Sequence, residues 1–314
     1  MENGGVIYIA PEGGSYVERR LRTIKTGTAR IALGTEANND FRLGLHIYPV
    51  GLNYEHPTLG GTRLYMEAGT PLRVADWQEA YAIDPVEAVR DLTARITTSL
   101  QALMLDTADE AQDHLLYRLE SMHQHDAPLP VDAHYRRTRQ LLKGLKQLQA
   151  NDPVGYQQLA NEISTYQSWL QTHQLTDAGV SRANGRFFTW WLIPGALVAA
   201  YGYIHNLLPF RTPVRLEKIL GLHISYRSTT KIVSGLVLVP FFYWLQYRLA
   251  CIWLPTSTAM GYALSWPITG IISWLFVRHT RPRYEGFKWR QWAAKHQAEA
   301  KEIVVLREKL KSFG

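Results

Sequence analysis

At 314 residues, 46% of them hydrophobic and 19% charged, the chain is too apolar for a disordered polymer and long enough for one full domain with a further region beside it. Its formal charge of +7 calls for an anionic partner. The lysines and arginines gather beside apolar runs and no groove-reading motif occurs, so a membrane surface or an anionic substrate is favoured and nucleic acid is not. One cysteine, Cys251, excludes an intramolecular disulfide, and residues 1–5 have neither the basic nor the apolar block of a signal peptide.

Residues 1–84 read as α/β. Val6-Ile7-Tyr8-Ile9 has the composition of a short strand, ended by Pro11, which cannot donate to a sheet ladder, and by Gly13 and Gly14, which permit a tight turn. A strand end of this kind presents the Glu12 carboxylate to a cleft. Apolar Ala29, Ile31, Ala32 and Leu33 predict a helix over 28–37, and residues 43–52 and 63–67 return to strand character around a turn-rich stretch at 53–61. These elements alone make too small a sheet to bury a core, so the domain is expected to continue upstream of Met1.

From Pro85 to about Thr176 the pattern is helical. Asp84-Pro85 is a helix start, and Val86, Val89, Leu92, Ile96, Leu100 and Leu103 recur at helical spacing. Residues 110–122, 135–149 and 156–170 repeat that character, which predicts a helical insert or linker over 106–180. His123-Gln124-His125-Asp126 offers metal-ligand types in a proline-flanked stretch with no further ligand at a recognised spacing, so it is expected to be a solvated loop and no metal is assigned.

The last third is apolar. Residues 187–210 and 249–277 contain no Asp, Glu, Lys or Arg, and Arg248 is the single such charge between Ile232 and Val277. About twenty apolar residues suffice to span a bilayer, which predicts a transmembrane hairpin over 232–277 with the turn at Pro255-Thr256-Ser257-Thr258. Arg211, Arg215, Lys218, Arg227 and Lys231 precede it and Arg278, Arg281, Arg283, Lys288 and Arg290 follow it, placing both flanks in the cytoplasm. With that orientation the run at 187–210, interrupted at Pro194-Gly195 and His205-Asn206, is expected to be a re-entrant or interfacial segment, with an ordinary third crossing, which its length permits, as the alternative. Residues 278–314 alternate charge sign around Trp289, Trp292, Ile303 and Leu310, as a basic amphipathic cytoplasmic tail would.

Three short motifs stand in order within the first region: Pro11-Glu12-Gly13-Gly14-Ser15 followed by Lys25-Thr26-Gly27-Thr28, then His46-Ile47-Tyr48-Pro49-Val50-Gly51, then Glu67-Ala68-Gly69-Thr70-Pro71-Leu72. Together they resemble the PlsC-like glycerolipid acyltransferases, and most of all their glycerol-3-phosphate and dihydroxyacetone-phosphate branch. The resemblance runs from Gly4 to Leu103 and, more loosely, through the helical and apolar regions. It implies that residues 1–105 are the C-terminal part of an α/β acyltransferase domain on the cytoplasmic face of a membrane. The implied enzyme works in phospholipid biosynthesis. It transfers a fatty acyl group from an acyl thioester, carried by coenzyme A or an acyl-carrier protein, to glycerol-3-phosphate or dihydroxyacetone phosphate, with no other cofactor. Glu12, Gly13, Gly14, Ser15, Lys25 and Gly27 would bind that acceptor, and Pro49 with Val50 would shape the acyl-donor side. Lys25 also opens a predicted helix whose first amides favour an anion. Arg19, Arg20 and Arg22 in the same loop are further phosphate candidates or, equally, solvated charges beside an anionic membrane.

Two departures bear on function. Where the family has an arginine two positions beyond the Gly13 equivalent, this chain has Ser15, so phosphate binding rests on other cations. The family's catalytic His-x4-Asp motif is absent: none of the eleven histidines, His46 and His56 included, has an aspartate five residues on. No catalytic residue is therefore assigned, and the chain is expected to be an N-terminally truncated acyltransferase, inactive alone. Transfer to lysophosphatidate, as by a 1-acylglycerol-3-phosphate acyltransferase, is the alternative acceptor reading. A non-catalytic, membrane-bound lipid-binding protein is the alternative class.

Overall fold

The computed structural model describes residues 4–14, 16–56, 61–182, 190–222 and 226–313, in two units: Met1–Glu120 with Leu129–Pro153, and Ser121–Pro128 with Val154–Gly314. In the first unit, helix α1 (Gly27–Ala37) precedes an antiparallel ribbon of two short ladders. Strand β1 (His46–Ile47) pairs with β4 (Leu72–Arg73), and β2 (Val50–Tyr54) pairs with β3 (Leu64–Ala68). The ladders part at Pro49, which has no N–H to give, although its carbonyl still accepts from the Gly69 amide at 2.9 Å.

A single 3-10 turn (Val74–Trp77) and helix α2 (Gln78–Ile83) lead into α3 (Pro85–Leu103), whose start follows from its sequence. Asp84 Oδ1 accepts from the amides of Val86 and Glu87 at 2.9 and 3.2 Å, and Pro85 fills a first-turn position that has no amide to satisfy. Val89, Leu92, Ile96 and Leu100 pack with Ile24, Ala29, Leu33, Leu72 and Val74 as one core; Val86, in the first turn, is exposed.

The predicted first strand does not form. Val6, Ile7 and Tyr8 are exposed and pair with no strand among the described residues, and an unpaired extended segment leaves its amides to solvent. Sheet is thus confined to the ribbon, and the chain is predominantly helical.

Alternation along the ribbon sends Gly51, Asn53, Tyr65 and Glu67 to one face and Val50, Leu52, Tyr54, Leu64, Met66 and Ala68 to the other. The first face is covered. Asn53 Nδ2 donates to the Leu103 carbonyl and its Oδ1 accepts from the Leu105 amide, both at 2.9 Å, and Tyr135 adds its hydroxyl to the same Leu103 carbonyl at 3.0 Å. A Cβ on Gly51 would stand 2.4 Å from that carbonyl oxygen, so only glycine allows the approach. The second face is entirely apolar and, Leu52 apart, exposed. Replacing Asn53 with leucine orphans the buried Leu105 amide while Leu103 keeps Tyr135. We expect it to lower the first unit's stability by about 1–3 kcal/mol in urea titration, and an unchanged midpoint would contradict the assignment.

Among the described residues, seven further helices follow α4 (Glu110–Asp126): α5 (Val131–Asn151), α6 (Pro153–Thr172), α7 (Asp177–Ser181), α8 (Leu192–Leu220), α9 (Arg227–Trp253), α10 (Thr256–Lys295) and α11 (Gln297–Lys311). His123 to Asp126, expected as a loop, are the last residues of α4. His125 Nδ1 meets Asp177 Oδ2 at 2.7 Å, and Asp126 accepts from Arg307 and Lys311 at 2.8 and 2.7 Å. Arg307, its side chain 4% exposed, also donates to Asp177 Oδ1 at 2.7 Å and to the Met122 carbonyl at 3.2 Å, tying α11 to α4 and α7.

Helices α9 and α10 are long and apolar enough to cross a membrane. Of the expected re-entrant segment, residues 187–189 lie outside the described residues, and from Leu192 onward α8 is one helix with no break at His205-Asn206. Asn206 Nδ2 donates both to the Gly202 carbonyl one turn back and to the Trp266 carbonyl of α10, at 2.8 and 2.9 Å, and Tyr243 of α9 donates to Asn206 Oδ1 at 2.5 Å. The polar pair that suggested an interruption is the crossing point of three helices. At Gly202 a Cβ would stand 2.1 Å from the Thr269 carbonyl, so α8 and α10 meet backbone to backbone. Helix α10 continues past Val277 to Lys295, 40 residues in all, where a tail separate from the hairpin was expected.

Candidate functional site

The Pro11–Gly14 turn is built by its own residues. The Gly13 amide donates to the Ala10 carbonyl at 3.2 Å with φ at +67°, a left-handed conformation that favours glycine. The Lys25 amide donates to the Pro11 carbonyl at 2.9 Å, which lays the segment before α1 alongside the turn. A Cβ on Gly13 would stand 2.5 Å from Lys25 Nζ, so the ammonium lies directly over this glycine. Lys25 is exposed and has no ion pair among the described residues. Two residues on, α1 begins with an N-cap, Thr26, whose side chain caps nothing, leaving the first amides of the helix open to an anion. Glu12, Gly13, Lys25 and Gly27 are thereby brought together.

Glu12 Oε1 accepts from the Arg22 amide at 2.8 Å, so one carboxylate oxygen fixes the loop. Among the candidate cations, Arg20 is exposed, as Lys25 is, whereas Arg22 pairs with Glu18 and lies 4.9 Å from the centre of the Tyr16 ring. Arg19 turns to the protein instead. Its Nε meets Asp113 at 2.7 Å and its Nη1 meets Glu120 at 2.5 Å. Burial works against the Arg19 charge, and the Glu120 and Asp113 carboxylates outweigh it, holding the guanidinium above its ordinary value. Gly14 lies against the Tyr16 ring, and Ser15 lies outside the described residues. Pro49 is buried at the break in the ribbon, and Val50 heads its exposed apolar face.

Glycerol-3-phosphate O-acyltransferase 1 of Saccharomyces cerevisiae is 27% identical to this chain over 192 residues, 60% of the chain and 25% of that protein. Glycerol-3-phosphate O-acyltransferase 2 of the same yeast is 32% identical over 151 residues, 48% of the chain and 20% of that protein. The chain is related to the glycerol-3-phosphate acyltransferases. An uncharacterized acyltransferase of Schizosaccharomyces pombe is 32% identical over 108 residues, 34% of the chain and 16% of that protein. The chain therefore spans a quarter or less of the length of the acyltransferases it matches. No family model and no solved structure matches it.

Several residues around the acyltransferase-like motifs carry no sequence signal. The Arg19 carbonyl accepts from the Thr107 amide and hydroxyl at 2.7 and 2.9 Å, and the Leu21 amide donates to Asp106 Oδ1 at 3.0 Å. Beyond Glu120, His134 Nε2 meets Glu120 Oε1 at 2.7 Å. Arg19, Glu120 and His134 line a small cleft together with Glu55, Arg63 and Tyr135. Burial pushes the Glu120 carboxyl up, and the hydrogen bonds from His134 and Arg19 reverse this, so it lies below the usual carboxylate value and is ionised.

Proposed function

We propose that this chain forms the acceptor-binding and membrane-associated part of a glycerolipid acyltransferase that acylates glycerol-3-phosphate. The observation that carries this reading is the Lys25 ammonium over Gly13 beside the uncapped start of α1, because a phosphate monoester needs a cation and amide donors converging on one point. Arg20, exposed in the same loop, is a second candidate cation. Glu12, with one oxygen engaged by the loop, has the other free to accept from a glycerol hydroxyl. Pro49 and Val50 start an apolar strip along which the donor's acyl chain would run. In the reaction the hydroxyl oxygen attacks the thioester carbonyl, the ester bond forms as the carbon–sulfur bond breaks, and the hydroxyl proton passes to a base. No residue of this chain is assigned as that base, and the chain by itself is expected to bind acceptor without turnover. Helices α9 and α10 would hold it in the membrane, with the motif-bearing unit on the cytoplasmic face.

Calorimetric titration of the purified chain in detergent micelles tests the reading. Glycerol-3-phosphate and dihydroxyacetone phosphate are expected to bind at least about tenfold more tightly than inorganic phosphate or glycerol, a difference of roughly 1.4 kcal/mol. Equal weak binding of all four would refute it. Preference for lysophosphatidate would select the alternative acceptor. The missing His-x4-Asp motif favours one second reading, a lipid-binding protein without catalysis, which predicts tight lysophosphatidate binding and no transfer from any form of the protein.

A further inference from the structure

We infer that His134, acting through Glu120 and Arg19, is a positioning residue for the loop that carries Glu12 and Lys25, which makes the helical region a working part of the acceptor site. The inference rests on the reading of that loop as the phosphate-binding element. A series of contacts leads from one to the other. With the Arg19 guanidinium on its other oxygen, Glu120 stands as a carboxylate that can only accept, which makes His134 Nε2 the donor in their 2.7 Å contact. The other oxygen of Glu120 receives Arg19 Nη1 at 2.5 Å. Arg19 is in turn fixed through its backbone carbonyl, which accepts from Thr107, and through its side-chain Nε, which donates to Asp113. Three residues later the Arg22 amide donates to Glu12 at 2.8 Å, while the Lys25 amide holds the Pro11 carbonyl.

The side chains of Arg19, Glu120 and His134 are only 13%, 7% and 12% exposed, so water cannot readily replace a lost partner. An ion pair buried to this degree is stable only while its remaining lone pairs are satisfied, and His134 supplies the donor that completes Glu120. The charges facing this cleft are Arg19 and Arg63 against Glu55 and Glu120, with Asp113 behind Arg19. Among the described residues, none of these supplies a second donor to the Glu120 oxygen that His134 occupies. Losing the imidazole would release Glu120 to compete for Arg19 in a different geometry, and the Arg19–Arg22 segment would shift with it.

The test compares His134→Phe, which keeps a ring and removes the donor, with His134→Gln, which keeps an N–H for Glu120. Three readouts are taken on the full chain in micelles: glycerol-3-phosphate affinity, the rate of tryptic cleavage after the exposed Arg20, and cleavage after Arg90 or Arg95 of α3, in the same unit, as the measure of general unfolding. His134→Phe is expected to weaken glycerol-3-phosphate binding about fivefold and speed cleavage after Arg20 by a similar factor relative to α3, the ratio expected for about 1 kcal/mol. His134→Gln is expected to stay within about twofold of wild type on both. Cleavage rising equally in α3 and the loop without rescue by glutamine would make His134 merely structural and overturn the proposal, as would unchanged binding and cleavage in His134→Phe. If wild type binds no glycerol-3-phosphate yet the loop-specific cleavage difference and its rescue persist, the functional reading of the loop fails while the positioning of the loop by His134 stands.

Discussion

Replacing Arg307 with methionine is expected to destabilise the second unit by about 3–5 kcal/mol, the loss typical when one member of a buried ion network is removed and its partners stay behind. The guanidinium serves Asp126, Asp177 and the Met122 carbonyl at once, and methionine fills much of its volume while leaving two carboxylates short of donors. Thermal or urea unfolding in micelles measures the loss. Its dependence on pH is a sharper check. Burial raises the Asp177 carboxyl, and hydrogen bonds from His125 and Arg307 outweigh this, bringing it from 3.8 down to about 2. A carboxyl lowered in the folded state stabilises fully above its unfolded value and loses that contribution as pH falls through the folded one. The gap between wild type and Arg307→Met is therefore expected to be constant near neutrality and to close between about pH 4 and pH 2. A gap that widens on acidification would mean that Asp177 does not carry the interaction.

Replacing Lys25 with methionine is expected to weaken glycerol-3-phosphate binding about tenfold to a hundredfold, the range for losing a charge-assisted hydrogen bond of about 1.5–3 kcal/mol. The side chain is exposed and has no ion pair among the described residues, so the unfolding midpoint is expected to stay within about 0.5 kcal/mol of wild type. Affinity lost without stability lost is the signature of a ligand contact. Lys25→Arg is expected to recover only part of the affinity, since a planar fork does not reproduce a point charge seated over Gly13. Should Lys25→Met bind glycerol-3-phosphate as wild type does, the phosphate is held elsewhere, and Arg20 becomes the next residue to remove.

Features set by neighbours in the chain were legible in the sequence. Asp84-Pro85 announced the start of α3, and the spacing from Val89 to Leu103 marked its buried stripe. The two glycines after Glu12 announced the turn that Lys25 lies over. Features set by distant partners were not. Arg19 has the same local setting as Arg20, yet its guanidinium is committed to Glu120, 101 residues away. Val6 to Ile9 has strand composition, but composition does not supply a ladder partner. Asn206 reads as a polar interruption of an apolar run until its bonds to Gly202, Trp266 and Tyr243 are seen. The charges after Val277 end the apolar run and carry no instruction to end a helix, so α10 runs on to Lys295.

The lock at Arg307 also sets an order of events during synthesis. Asp126 and Arg307 are 181 residues apart, and every residue of α8, α9 and α10 lies between them. At translation rates of about 5–20 residues per second, Asp126 waits roughly ten to forty seconds for its partner to be made. The apolar helices must find their environment within that interval, before the second unit has the ion pairs that finish it. Closure of α11 onto α4 and α7 thus follows the synthesis of α8, α9 and α10, and it reports that the segment between them has already been accommodated.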